Sequence, residues 1–187
     1  MNGRIAITGG IGCGKSFVAE KLRERGVVVY DCDAAAKRLI AKSEDIHRRL
    51  TALIGSDAYL PDGALNKAAV AEFLLASEDN NKAINNIVHP AVADDFISSG
   101  VKWMECAILY ESGFDRLVNK VVAVTAPEVV RVERIMRRDG ISSERAKEWI
   151  QRQMAQDEVR RRADFEIIND GRQNVDGQID KILTILN

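Results

Sequence analysis

An α/β fold built on a mainly parallel sheet is the architecture this sequence predicts, and three observations predict it. Short apolar, β-branched runs alternate with helix-period segments along the chain. The first apolar run, residues 4–8, stops at glycines and carries no alternating polar face, as expected of a strand covered on both sides. A glycine-rich turn then leads directly into a helical pattern, the strand–loop–helix order of a phosphate-binding loop.

In chain order, the pattern after the turn (Phe17, Val18, Leu22 among charges) predicts a helix through Arg25, which Gly26 ends. Residues 27–30 read as a second strand that ends at Asp31-Cys32-Asp33. From about 34 to 100 the apolar residues recur at three- and four-residue intervals. This predicts a helical insertion, with a turn at Asp62-Gly63. Strands are expected again at 104–109, 121–125 and 165–168. An arginine-rich helical stretch broken near Asp139-Gly140 precedes the last of them, and a closing helix carries Val175, Ile179, Ile182 and Leu186. The expected architecture is one three-layer domain with a five-stranded mainly parallel sheet. Its core is about 1–33, 101–130 and 163–187, with a helical acceptor-binding region at about 34–100 and a helical lid at about 131–162.

Bulk properties narrow the function classes. The 187 residues are 46% hydrophobic and 29% charged, and the formal net charge is -1, which argues against a dedicated nucleic-acid binder. Three cysteines, Cys13, Cys32 and Cys106, without CxxC spacing suit a reducing compartment better than a disulfide framework or zinc site. No apolar run approaches the roughly 18 residues of a membrane span. The N-terminal residues enter a strand pattern without an apolar signal core. A cytoplasmic protein with no membrane association and no obligatory protein partner is expected.

The motif Gly9-Gly10-Ile11-Gly12-Cys13-Gly14-Lys15-Ser16 is G-x-x-x-x-G-K-S. Its glycines let successive backbone N–H groups curl around phosphate oxygens, and the following helix adds its N-terminal dipole. Lys15 can reach the β- and γ-phosphates of ATP, and the Ser16 hydroxyl can coordinate Mg²⁺. A guanine-reading Asn-Lys-x-Asp motif is missing, since Val121-Val122 follow Asn119-Lys120. Small size, a helical insertion and a late arginine-rich segment favour a small-molecule kinase with a closing lid.

The ordered set of motifs resembles the dephospho-coenzyme A kinase family. The opening 7–16 is close to its Thr-Gly-Gly-Ile-Gly-Ser-Gly-Lys-Ser, and Asp31-Cys32-Asp33 to its Asp-Ala-Asp. Asp62-Gly63-Ala64-Leu65, His89-Pro90 and Leu109-Tyr110-Glu111 match further segments. Arg134, Arg138-Asp139 and Gln153 follow its lid, and Ala163-Asp164 through Asn169 and Gly171 its last strand. The resemblance implies transfer of the ATP γ-phosphoryl group to the ribose 3′-hydroxyl of dephospho-CoA, the last step of coenzyme A synthesis. It also implies a nucleotide site at Gly9 to Ser16 with Arg134, Arg138 and Asn169, and acceptor contacts from Asp33, Lys37, Arg38, His89 and Glu111.

Within that reading, Lys15 and Arg138 stabilise the transferring charge and Asp33 is the candidate base for the 3′-hydroxyl. Asp33 can also cap a helix starting at Ala34, and the two roles are compatible. Asp31 is a candidate second carboxylate near a Mg²⁺-bound water. His89, before Pro90, is expected to be extended, as a substrate contact or as a structural group. Glu111, at a strand end, orients a lid arginine or substrate, or is a surface carboxylate. The other arginines, such as Arg137, Arg145 and Arg160 to Arg162, are expected on solvated faces paired with acids. Five positions depart from the family pattern: Lys37 and Lys67 stand where arginine is usual, Ala107 where proline is, and Arg131 where glutamine is common, while Glu105 places a charge inside a strand pattern. Two other readings remain: a P-loop kinase for another nucleoside, nucleotide or small alcohol, and a nucleotide-switched binding module.

Overall fold

The computed structural model describes residues 3–186. The chain forms two compact units, one from residues 1–31 and 101–187 and the other from 32–100.

The first unit holds the sheet. Its strands are β1 (Ile5–Thr8), β2 (Val29–Asp31), β3 (Trp103–Glu105), β4 (Lys120–Thr125) and β5 (Phe165–Ile168). They lie in the order β2-β3-β1-β4-β5, and every pairing is parallel. All four residues of β1 are buried, because this strand is central and covered on both faces. Helix α1 (Lys15–Arg23) buries Val18, Ala19 and Leu22, and Gly26, with φ 79°, releases the chain toward β2. The C-terminal helix α9 (Val175–Leu186) buries Val175, Ile179 and Ile182 in the same core as Ile5, Ile7, Val122, Val124 and Ile167. The arginine-rich stretch forms α6 (Glu128–Asp139), α7 (Ser143–Gln151) and α8 (Gln156–Arg162). Gly140, at φ 66°, makes the break between α6 and α7.

β3 is shorter than its apolar pattern predicts. Cys106 N–H still donates to the Ile7 carbonyl at 3.0 Å, but β1 turns into the glycine loop after Thr8 and β2 ends at Asp31. Both ladder partners are then gone, and residues 107–113 leave the sheet as turns before a 3₁₀ turn at Phe114–Leu117. Glu111 is therefore exposed in a turn and not at a strand end.

The second unit is helical: α2 (Cys32–Lys42), α3 (Glu44–Ile54), α4 (Lys67–Ala76) and α5 (Glu78–Ser99). Ser43, Asn66 and Ser77 cap the last three with side-chain oxygens. Ile46, Leu50, Ala58, Tyr59 and Ile87 form the core, and the His47 ring stacks on Tyr59 with centroids 3.9 Å apart. The expected turn at Asp62-Gly63 is present, with Ala64 N–H donating to Asp62 Oδ1 at 3.0 Å. α2 begins at Cys32, so Asp33 lies inside its first turn and not at a cap before Ala34. There its charge complements the helix dipole.

His89 is helical and not extended, because α5 continues through Pro90. A proline in mid-helix has no N–H for the carbonyl four residues earlier. That carbonyl belongs to Asn86, and Arg49 Nη2 of α3 donates to it at 3.5 Å. An interhelical bond thus takes up the acceptor that the proline leaves open. Pro90→Ala restores the helical bond and should raise stability by about 1 kcal/mol or more, part of the ~3 kcal/mol an interior proline costs. Arg49→Ala should then cost less stability in the Pro90→Ala background than in the wild type, a coupling read from denaturant midpoints of the four proteins.

Candidate active site

The loop between β1 and α1 is held by backbone packing that excludes side chains. A β-carbon on Gly9 (φ 148°) would sit 2.3 Å from the Val124 carbonyl oxygen of β4. One on Gly14 (φ 89°) would sit 2.2 Å from the Asn169 amide nitrogen. Gly14 also leads into α1 without a side-chain cap, which leaves the first amides of the helix to bind an anion. Asn169, just past β5 and 6% exposed, donates Nδ2–H to the Cys13 carbonyl at 2.9 Å. Arg134 of α6 donates Nη1–H toward the Gly12 and Cys13 carbonyls at 3.3 and 3.4 Å, and Nη2–H to Asn169 Oδ1 at 3.4 Å. Arg134 and Asn169 therefore meet at the loop.

Lys15 Nζ donates to the Gly10 carbonyl at 3.3 Å, which folds its side chain back over the loop. Ser16 Oγ donates to Glu105 Oε1 at 2.8 Å. Glu105 ends β3, beside the central strand, and is 8% exposed. Burial raises its carboxyl above the usual range. The bond from Ser16 works the other way, Asp31 raises it further, and Lys15 lowers it. Asp31 is the register partner of Glu105 on β2. In the sequence, Glu105 shows only as a charge inside a strand pattern. The available signal was an acid at the end of an apolar strand adjacent to the P-loop strand, where a carboxylate meets the loop serine.

The loop is also gripped by the segment from α6 to α8. Ile11 N–H donates to Gln153 Oε1 at 2.6 Å, and the Ile11 carbonyl accepts from Arg131 Nε at 2.9 Å. The Ile11 side chain packs with Val132, Ile135, Ala146, Ile141, Trp149 and Ile150. Cys13 is fully buried and its thiol donates to Gln156 Oε1 at 3.3 Å. Arg138 is not brought to the loop: its exposed guanidinium forks onto the adjacent Asp139 at 2.8 to 3.1 Å. Glu111 Oε1 accepts from Met154 N–H at 3.3 Å, between α7 and α8. Arg145, Arg160, Arg161 and Arg162 pair with acids as expected.

In the helical unit, Asp33 and Lys37 are exposed on α2, two and six residues past the end of β2. Arg38 Nη2 donates to Asp95 Oδ2 of α5 at 2.5 Å. His89 is half-buried on α5, and burial lowers the pKa of its imidazole. No helix among the described residues is long and apolar enough to cross a membrane.

Comparison with known proteins agrees with this geometry. A family model described as dephospho-CoA kinase matches residues 4–174. A dephospho-CoA kinase of Bacteroides fragilis is 40% identical over 190 aligned residues, covering 98% of this chain and 92% of the relative. The crystal structure of TT1252 from Thermus thermophilus superposes with a TM-score of 0.82 at 30% identity, covering 98% of this chain and 97% of that one. The dephospho-CoA kinase of Campylobacter jejuni has the same fold, with a TM-score of 0.69 at 20% identity over 98% and 96% of the two chains. A complete phosphate loop on the central strand of a five-stranded parallel sheet, matched over nearly the whole chain, places this protein in the dephospho-CoA kinase family.

Proposed function

We propose that this protein is a dephospho-CoA kinase that transfers the γ-phosphoryl group of ATP to the ribose 3′-hydroxyl of dephospho-CoA, giving CoA and ADP. The observation that carries this reading is the loop Gly9 to Ser16, with Ser16 bonded to Glu105, in a chain 40% identical to a dephospho-CoA kinase over nearly its full length.

Phosphoryl transfer passes through a loose, charge-rich transition state, so positioning and cationic stabilisation dominate. The loop amides and Lys15 bind the phosphates, with Arg134 and Asn169 fixing the shape of the loop from below. Arg138 completes the positive cage on lid closure by exchanging Asp139 for phosphate oxygens. Asp33 accepts the 3′-hydroxyl proton, and Lys37, Arg38, His89 and Glu111 contact the acceptor. Ser16, Glu105 and Asp31 fit Mg²⁺. They offer hard oxygen donors together, and among the described residues no group of three or more His, Cys, Asp or Glu forms a cage. That is the donor set of an ion held largely by phosphates and water. When bound with ATP, Mg²⁺ supplies neutralisation of charge along the phosphate chain.

An assay with ATP, Mg²⁺ and dephospho-CoA should yield ADP and CoA, with the new phosphate on the 3′-oxygen, and Asp33→Asn should lower kcat by about 10²-fold or more. Product from a nucleoside, nucleotide or shikimate-like alcohol, and none from dephospho-CoA, would assign a different kinase activity.

Glu105→Gln separates stability from function. The folded-state pKa of Glu105 lies above its ordinary value of 4.5, so ionised Glu105 costs stability. The cost is absent where both states are protonated and complete above the folded pKa. The glutamine variant should therefore melt higher than wild type at about pH 8. That gain should shrink as pH falls through the folded pKa toward 4.5. Activity should drop by about 10- to 100-fold.

A further inference from the structure

Arg131 is the one buried cation among the described residues, with 5% of its surface exposed. It sits in α6, two turns before the exposed Arg138, yet its environment is different. Arg145, Arg160, Arg161 and Arg162 each face a carboxylate, and Arg138 faces Asp139. Among the described residues, no carboxylate pairs with Arg131. Its hydrogen bond is from Nε to the neutral Ile11 carbonyl. A desolvated guanidinium with a single neutral acceptor is a costly arrangement, and a counter-charge beside it would offset that cost.

The guanidinium lies at the phosphate loop. The Nη2 end lies against Gly10, where a β-carbon would come within 2.3 Å of it. The absent side chain at Gly10 is thus the space the guanidinium occupies. Gly10 belongs to the phosphate loop, and its carbonyl also accepts from Lys15 Nζ at 3.3 Å. Two cations therefore converge on one peptide of the loop, and one of them is buried. Lys15 already acts on the Glu105 carboxylate, so it is the buried Arg131 charge that a phosphate bound in the loop would balance.

We propose that Arg131 is a positioning residue for nucleotide: a buried guanidinium, held by the Ile11 carbonyl behind Gly10, whose charge is balanced by the phosphates of bound ATP or ADP. The proposal rests on the nucleotide-binding half of the function above and not on the acceptor. Unlike Arg138, which must move, Arg131 is fixed before nucleotide arrives, so its field costs no reorganisation on binding.

The test uses four variants, with Mg–ADP affinity by calorimetry, the melting temperature without nucleotide, and steady-state kinetics in ATP. Arg131→Met and Arg131→Gln remove the charge, and the glutamine keeps a donor for the Ile11 carbonyl. Both should melt no lower than wild type without nucleotide and bind Mg–ADP about 10- to 100-fold more weakly. Their KM for ATP should rise in step, with kcat changed by less than about threefold. Arg131→Lys should recover most of the lost affinity, since the charge returns without the planar fork. Gly10→Ala places a β-carbon on the guanidinium and should weaken Mg–ADP binding as well. Combined with Arg131→Met, it should add little to the effect of Arg131→Met alone. Unchanged Mg–ADP affinity in Arg131→Gln would overturn the proposal. So would a loss of affinity that Arg131→Lys fails to restore, which would leave Arg131 only as a structural pin for Ile11. Normal Mg–ADP binding without phosphorylation of dephospho-CoA would overturn the acceptor assignment alone and leave this test intact.

Discussion

The close packing of other elements against the glycine backbone at 9–14 is the constraint on which the rest of the molecule depends. The volume that side chains would fill there is filled instead by the Val124 carbonyl from β4, the Asn169 amide after β5, and the Arg131 guanidinium from α6. Each contact comes from a different element, so the loop holds its shape only if the strand order is correct. With β1 flanked by β3 and β4, Glu105 arrives on one side and Val124 on the other. The loop is therefore as much a product of the sheet as of its own glycines. Its amides are pre-organised before any phosphate binds, which is how an anion site avoids the entropy of ordering a mobile loop.

That arrangement gathers polar groups where a core would otherwise be apolar. Thr8, Glu105, Thr125, Arg131 and Asn169 are the buried polar residues of the described chain, and all cluster around the carboxyl ends of the strands or the helix that follows them. Elsewhere the same sheet is packed with Ile5, Ile7, Val122, Val124 and Ile167, which carry no such cost. Thr125 and Asn169 are satisfied within the protein, the first by Glu166 at 2.7 Å and the second by the Cys13 carbonyl. For Glu105, the Ser16 hydroxyl and the charge of Lys15 offset burial of a negative charge, while its strand partner Asp31 adds to the cost. The site thus buries charge at a cost that the apolar part of the sheet does not carry, the cost that the proposed nucleotide and Mg²⁺ would offset.

The α6–α8 segment, the proposed lid, joins this site in a graded way. At its root, Ile11 is bonded through its N–H to Gln153 and through its carbonyl to Arg131, and its side chain enters the cluster of Val132, Ile135 and Ala146. At its far end Arg138 is exposed and paired with its own neighbour. Glu111 and Asp115, in the turns after β3, reach the Met154 amide and Arg162 on the same lid. In the closure proposed above, Arg138 reaches phosphate when the exposed end of α6 changes partners, while the root stays anchored on the loop.

Much of this was legible in the sequence because it is written in short-range chemistry. The G-x-x-x-x-G-K-S loop, the β-branched strands, the helix-ending glycines at 26 and 140 and the closing amphipathic helix each express a local backbone preference or a periodic face. The ordered motifs identified the family in the same way. What the sequence could not show were interactions between distant residues. Ser16 and Glu105 are 89 positions apart, and nothing local says that an acid in an apolar strand meets the loop serine. Arg131 looks like any member of an arginine-rich helix until α6 packs on the loop. β3 ends early because its neighbours end, Glu111 leaves the sheet for that reason, and His89 lies in a helix that continues through Pro90, where Arg49 donates to the Asn86 carbonyl that the proline leaves open. Local propensity determines which segments are strands and helices, but the partner a buried polar group finds is decided only when the sheet assembles.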